Sequence, residues 1–109
     1  MVPISLNRML RQHWAVRRRY NQRWYNAVAY TVLLEHGPLI EPVTDRRRLS
    51  IWLHRKRLLD PDNATASVKP IVDAMCRTGL IVDDSEKYIH LEVVQVTDKP
   101  EKTVIEVWK

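Results

Sequence analysis

One apolar repeat in the second half of the chain constrains the fold more than any other feature. From Ala64 onwards, apolar side chains recur at steps of three and four residues, which places them on one face of an α-helix. Ser67 can cap this helix, Pro70 fits its first turn, and Gly79 is a typical C-terminal cap. The pattern predicts a helix that faces the core through five side chains: Val68, Ile71, Val72, Met75 and Cys76.

Three other segments alternate between apolar and polar residues, which is typical of half-buried β-strands. Residues 49–54 alternate before the helix, and residues 88–97 and 103–108 alternate after it. Because residues 98–101 form a turn between the last two segments, these are predicted to pair as an antiparallel hairpin.

The first third of the chain has helical signals. Residues 5–35 contain no Gly or Pro before Gly37-Pro38, and Ser5 or Asn7 can cap their start. The later part is predicted to be a helix packed on a sheet, whereas the earlier part fits one helix, a bent pair, or an arm ordered by its ligand. The apolar stripe that predicts the packing is Trp24, Ala27, Val28, Thr31 and Leu34.

These elements follow one another in the order α-β-α-β-β, with a loop from Leu39 to Asp45 after the first helical region. The order predicts a small α/β fold, in which helices pack on one face of a mixed sheet. The 109 residues are expected to form one domain, with residues 1–36 as a basic helical segment and residues 46–109 as the core. The sequence contains no signal-peptide core and no apolar run near the roughly 20 residues of a membrane span, so we expect a cytosolic protein.

The net charge of +5 is unevenly distributed. Residues 1–57 contain twelve Lys and Arg against three acidic residues, a net of +9, whereas residues 58–109 contain six against ten, a net of −4. A basic half suits a polyanionic ligand, and arginines interleaved with Trp14 and Tyr20 suit nucleic acid, because guanidinium groups bind phosphate and aromatic rings stack on bases. Two solvated faces of opposite charge, and aromatic core residues, are the alternatives.

Acidic side chains gather on both sides of the predicted helix. Asp60 and Asp62 precede it, and Asp84 follows it. Carboxylates gather either where water solvates them or where a hard cation such as Mg²⁺ or Mn²⁺ neutralises them. In extended backbone, Asp60 and Asp62 share a face and can converge on one ion. A polar turn that caps a helix is the alternative for these residues, and a surface ion pair with Lys69 is the alternative for Asp73.

Taken together, these residues resemble the signature of the RusA-type Holliday junction resolvases. That signature is D-x-D-N, a lysine, an aspartate four residues later, a glycine and a double aspartate. The likeness covers about residues 55–97 well and the N-terminal third weakly. The matching positions are Asp60-Pro61-Asp62-Asn63, Lys69, Asp73, Gly79 and Asp83-Asp84.

The resemblance implies a Mg²⁺-dependent endodeoxyribonuclease, with Mn²⁺ as the alternative metal. By resemblance, Asp60, Asp62 and Asp84 bind the metal and form the catalytic set with Lys69. The remaining signature residues, Asn63, Asp73 and Asp83, would support this set. The family acts as homodimers that make paired symmetric nicks across four-way DNA junctions, in recombination and repair in the bacterial cytoplasm.

Basic side chains are predicted to contact DNA phosphates beside this site. Two further functions remain open: a protein that binds branched DNA without cutting it, and a metal nuclease without selectivity for branches. Digestion of a four-way junction distinguishes all three. The predicted DNA contacts are Arg8, Arg11, Arg17, Arg18, Arg19, Arg55, Lys56 and Arg57.

Overall fold

The structure is a computed structural model that describes residues 1–38 and 43–108, apart from the side chain of Leu6. Residues 39–42 of the predicted loop therefore lie outside the described residues. None of the described helices has the length and apolar character needed to cross a lipid bilayer. The elements are α1 (Leu6–Leu10), α2 (Trp14–His36), β1 (Arg47–Arg55), α3 (Pro61–Ser67), α4 (Lys69–Thr78), β2 (Ile89–Thr97) and β3 (Lys102–Trp108).

Strand β1 is the centre of a three-stranded mixed sheet with the order β2-β1-β3. It runs parallel to β2, with Ile51 opposite Val93, and antiparallel to β3, with Ile51 opposite Ile105. The three predicted strands and the mixed α/β class are confirmed. The three strands begin and end within two residues of the predicted positions.

The predicted hairpin between β2 and β3 is wrong, because β1 lies between them. The connection at residues 98–101 crosses the end of β1, where the Asp98 N–H donates to the Arg55 carbonyl oxygen at 3.0 Å. The physical reason lies in β1, whose Leu49, Ile51 and Leu53 are all 0% exposed. A central strand buries such side chains better than an edge strand, which has a neighbour on one side only.

The core lies between one face of the sheet and helices α2 and α4. The side chains of Leu49, Ile51 and Leu53 point to this face at every second position, as the alternation predicts. They pack in one cluster with α2 and α4, so these two helices cover the same face of the sheet. The helical members of the cluster are Tyr20, Trp24, Val28 and Val32 on α2 and Ile71, Val72, Ala74 and Met75 on α4.

Helix α4 ends as predicted, at Gly79, which has a φ of 83° in the left-handed region and donates its N–H to the helix carbonyls. Its start differs from the prediction. Ser67 does not cap α4, because it is the last residue of α3 and its buried hydroxyl donates to the Ala64 carbonyl oxygen at 2.7 Å. Only Val68 separates the two helices.

The N-terminal region is the bent pair among the three alternatives. Ser5 caps α1, with its hydroxyl accepting the Arg8 N–H at 3.3 Å, as predicted. His13 caps α2, with its Nδ1 accepting the Ala15 N–H at 3.2 Å. Both caps are local side-chain contacts that satisfy N–H groups with no partner inside the helix.

The buried stripe of α2 differs in part from the predicted one. Trp24 and Val28 are buried as expected, together with Tyr20 and Val32, so burial follows every fourth residue. Three members of the predicted stripe are instead exposed: Ala27, Thr31 and Leu34. The apolar surface of α2 is therefore wider than the part that this chain buries.

Replacing Gly79 by Ala should lower the free energy of unfolding by about 1–2 kcal/mol, because a residue with a Cβ is strained in the left-handed conformation. Gly79→Asn is the matched control, since Asn tolerates this conformation better and should cost less. Urea denaturation followed by circular dichroism measures both. Equal losses for Ala and Asn would contradict this explanation.

Candidate active site

The first acidic residues lie at the start of α3, where the sequence predicts an extended segment. Asp60 is the N-cap of this helix, and Asp62 lies in its first turn. Asp62 is therefore helical, and the alternation of a strand does not apply to this pair. The prediction of an extended segment is wrong here. Asp60 followed by Pro61 is a typical helix start, and this signal could have identified α3.

Asp60 is held by hydrogen bonds from Asn63. Its carboxylate accepts the Asn63 backbone N–H at 3.0 Å and the Asn63 side-chain amide at 2.6 Å. These bonds, the backbone one first, hold the pKa of Asp60 below its usual value. Asn63 thus supports an ionised Asp60, and each carboxylate oxygen has a further lone pair for another ligand.

The second group of predicted residues surrounds Lys69, the first residue of α4. Its Nζ lies 3.4 Å from Oδ1 of Asp73 and 3.8 Å from Oδ2 of Asp84. Asp73 is one turn further along α4, whereas Asp84 follows the end of that helix. The segment after α4, which begins with the buried Leu80 and Ile81, therefore brings Asp84 back to Lys69 at the start of the helix.

Asp83 acts on its neighbour through the backbone. Its Oδ1 accepts the Asp84 N–H at 2.8 Å, which fixes the turn that presents Asp84. The same carboxylates affect Cys76: burial, followed by the charges of Asp84, Asp83 and Asp73, raises the pKa of its thiol. A half-buried thiol in an acidic environment is protonated at neutral pH and is a poor nucleophile.

The structure thus brings the predicted residues together in two groups, one at each end of the segment from α3 to the start of α4. The first contains Asp60, Asp62 and Asn63, and the second contains Lys69 and Asp84 with the supporting aspartates. Within residues 1–38 and 43–108, no three His, Cys, Asp or Glu side chains are arranged to hold a metal ion together. The donor chemistry fits Mg²⁺, which usually takes one or two carboxylates and completes its shell with waters and substrate phosphates.

The basic part of α2 lies beside the acidic side of α4. A cleft of about 200 Å³ is lined by Asn21 and Tyr25 of α2 and by Asp73 and Arg77 of α4, among other residues. The Arg77 guanidinium stacks over the Tyr25 ring at 3.9 Å, so it is engaged in packing. The arginines at positions 17–19 precede Asn21 on α2 by about one helical turn or less.

Most of the predicted DNA contacts are accessible. Arg17 is half-buried, and six others are exposed: Arg8, Arg11, Arg18, Arg19, Lys56 and Arg57. Their charges are arranged on α1, on the first turns of α2 and after β1, and none of them forms a side-chain ion pair with a described residue. These side chains can bind phosphate, and only the Arg11 Nε among them has a hydrogen bond in the described residues, to the Asn7 carbonyl oxygen at 3.3 Å.

Arg55 is a correction to the predicted DNA contacts, because it is only 5% exposed. Its Nη1 donates to the Pro3 carbonyl oxygen at 2.7 Å, and its Nη2 donates to the Ser67 hydroxyl at 3.2 Å. Burial lowers the pKa of this guanidinium from its usual value. Arg55 therefore joins the N-terminal segment to β1 and α3. The period of two along β1 places it on the same face as Leu53, and this signal could have identified it as buried.

Neither a model of a protein family nor a curated protein matches this chain. The likeness to RusA-type resolvases therefore rests on the signature residues alone. Their geometry is the basis for the function proposed below.

Arg55→Ala should lower the free energy of unfolding by about 2–3 kcal/mol, because the Pro3 carbonyl and the Ser67 hydroxyl lose a charged donor inside the protein. Lys56→Ala is the matched control and should change stability by less than about 0.5 kcal/mol while weakening DNA binding. Chemical denaturation and a fluorescence anisotropy titration measure these effects. If the Arg55→Ala variant is stable and binds DNA more weakly, Arg55 is a DNA contact after all.

The cap at α3 should be separable from any metal-binding role of Asp60. Asp60→Ala should destabilise the protein, whereas Asp60→Asn should retain most of its stability, because Asn caps helices as well as Asp does. Folding lowers the pKa of Asp60, so its ionised carboxylate stabilises the folded protein at pH values above 3.8, the ordinary pKa of the group. This stabilisation is lost as the pH falls below that value. Denaturation of all three proteins at pH 7 and well below that value tests this dependence. A difference between wild type and Asp60→Ala that grows at low pH would contradict it.

Proposed function

We propose that this chain is a Mg²⁺-dependent endodeoxyribonuclease that resolves four-way DNA junctions as a homodimer. The observation that carries the proposal is the position of Lys69 between Asp73 and Asp84, directly after the helix that Asp60 caps. An ordinary surface ion pair of Lys69 would need only one carboxylate, that of Asp73, four residues later in the same helix. The return of a second carboxylate from beyond the end of α4 is additional, and it matches the order of the signature.

Lys69 is suited to contact a phosphate. Its side chain is 67% exposed, and its Nζ contacts Asp73 at 3.4 Å and Asp84 at 3.8 Å, which are long distances for an ion pair. Weak, exposed pairs of this kind are readily exchanged for a phosphate oxygen. An ammonium group in that position stabilises the negative charge that develops on a phosphodiester during its hydrolysis.

The carboxylates Asp60, Asp62 and Asp84 would hold the cation. When bound, Mg²⁺ lowers the pKa of a water molecule and neutralises charge on the scissile phosphate. Asp60 is ready for this role, because its hydrogen bonds with Asn63 keep it ionised and oriented. Contact of Lys69 with phosphate would release Asp84 from its ion pair and leave that carboxylate available to the cation. Binding of the substrate and binding of the cation would then favour each other.

The basic side chains of α1, α2 and the segment after β1 would hold the DNA backbone. Phosphate contacts of this kind position a protein on DNA and carry no sequence information by themselves. They suit an enzyme that recognises the branched shape of its substrate. We assign the activity to recombination and repair of DNA in the bacterial cytoplasm, where the resemblance places it.

Asp62→Asn and Asp84→Asn should each reduce cleavage of a four-way junction by at least about 100-fold while binding stays intact or becomes tighter, because a metal ligand is lost and the arginines remain. Glu86→Gln is the matched control, an exposed acidic residue two positions after Asp84 that should leave cleavage unchanged. The assay is digestion of end-labelled junction with Mg²⁺ or Mn²⁺, resolved on denaturing gels beside a linear duplex of the same sequence. Full cleavage by either Asn variant would show that the site is misassigned.

The wild-type digestion also separates the remaining functions. Paired symmetric nicks in the junction alone support the proposal. Equal cutting of the linear duplex indicates a nuclease without branch selectivity, and tight binding without nicks in either metal indicates a binding protein.

A further inference from the structure

Strand β3 has a neighbouring strand on one side only. It pairs with β1 in the order β2-β1-β3, and the described residues place no strand beside its outer edge. The N-terminal residue reaches only its beginning, where the Thr103 hydroxyl donates to the Met1 carbonyl oxygen at 2.6 Å. An exposed edge of this length is a template for pairing with another strand.

A groove of about 690 Å³, lined by both apolar and polar residues, lies beside this edge, between α2 and β3. Ala27 and Thr31 line it from α2, and Ile105 and Val107 line it from β3. Ala27 and Thr31 belong to the apolar stripe that the sequence predicts, yet they are exposed. The flank of α2 that this chain does not bury therefore lies next to the unpaired strand edge.

The sequence of β3 is complementary to itself in antiparallel pairing. When two copies pair about Val104, Lys102 of one strand lies opposite Glu106 of the other, and two-fold symmetry repeats this pair. Thr103 then lies opposite Ile105 on the side of the groove. Neither Lys102 nor Glu106 forms a side-chain ion pair with any residue the structure describes. Cross-strand pairs of opposite charge favour this register.

We propose that a second copy of this chain occupies the edge and groove, with the two β3 strands antiparallel in one continuous six-stranded sheet. The apolar side chains of each β3 extend the groove beneath the α2 helix of the other copy. The inference supplies a surface for the homodimer of the proposed function, and it rests on that function only for the dimer's biological role. Its test measures mass and requires no cleavage.

The first test is sedimentation equilibrium of the full chain. The wild type should have twice the 12.9 kDa mass of one chain. Ala27→Lys should weaken the dimer at least tenfold, because it places a charge in the groove at a position that is exposed in one copy. Asn26→Lys is the matched control, exposed on the same turn but outside the groove, and it should leave the dimer unchanged. Circular dichroism establishes that both variants are folded.

The second test reverses the charges of β3. Lys102→Glu and Glu106→Lys should each weaken the dimer by about tenfold, because both symmetric pairs become repulsive, and the double variant should return to within about threefold of wild type. Glu92→Lys is the control for packing through the open face of the sheet, since β2 is distant from the β3 edge. It should have no effect.

Three results would overturn the inference: a wild-type monomer at concentrations up to about 0.5 mM, a dimer unaffected by Ala27→Lys, or a dimer weakened by Glu92→Lys as strongly as by Glu106→Lys. The last result would indicate that the two copies associate through the open face of the sheet and not through the β3 edge. Failure of the proposed function is distinguishable, because a dimer through β3 that cuts no junction retains the inference. A monomer that makes nicks contradicts the inference and the dimeric form of the proposed function, and retains only the nuclease activity.

Discussion

The burial of one face of β1 is the constraint on which the rest of the structure depends. Leu49, Ile51 and Leu53 are entirely removed from water, and at about 25 cal/mol for each Å² of apolar surface this burial is a main source of stability. It requires strands on both sides of β1 and helices above it. The same alternation points the Arg55 side chain to the buried face of β1. There its guanidinium donates hydrogen bonds to the N-terminal segment and to α3.

The position of the candidate site follows from that packing. Helix α4 lies over β1 through Ile71 and Met75, which leaves Lys69, Asp73 and Arg77 on its outer side. Gly79 ends the helix, Leu80 and Ile81 anchor the following segment in the core, and Asp84 then reaches Lys69. The core therefore determines which carboxylates can reach Lys69, although none of the site residues belongs to the core.

Local patterns in the sequence predict the elements well, and contacts between distant elements poorly. The apolar period of α4, its glycine cap and the three alternating strands are properties of short segments. Strand order is different, because turn residues at 98–101 suit a hairpin between neighbouring strands as well as a connection that passes the end of β1. Only the competition among three strands for the buried central place decides between them, and no single segment contains that information.

The site shows the same division. The residue types and their order identify Asp60, Lys69 and Asp84 from the sequence, but their arrangement depends on α3, which the extended interpretation of Asp60-Pro61-Asp62 missed. Helix α3 places Asp60 and Asp62 together at its N-terminus, whereas Asp84 reaches Lys69 from beyond the end of α4. The sequence contains the residues of both groups, but their placement depends on where the helices begin and end.

Helix α2 connects the candidate site to the proposed interface through different parts of one element. Its buried stripe packs on α4, its basic first turns precede Asn21 at the cleft with Asp73, and the exposed flank at Ala27 and Thr31 lines the groove beside β3. A charge placed at Ala27 lies about two to three helical turns from the arginines at positions 17–19. Phosphate binding and association of two copies can therefore be altered independently, even though the same helix supports both.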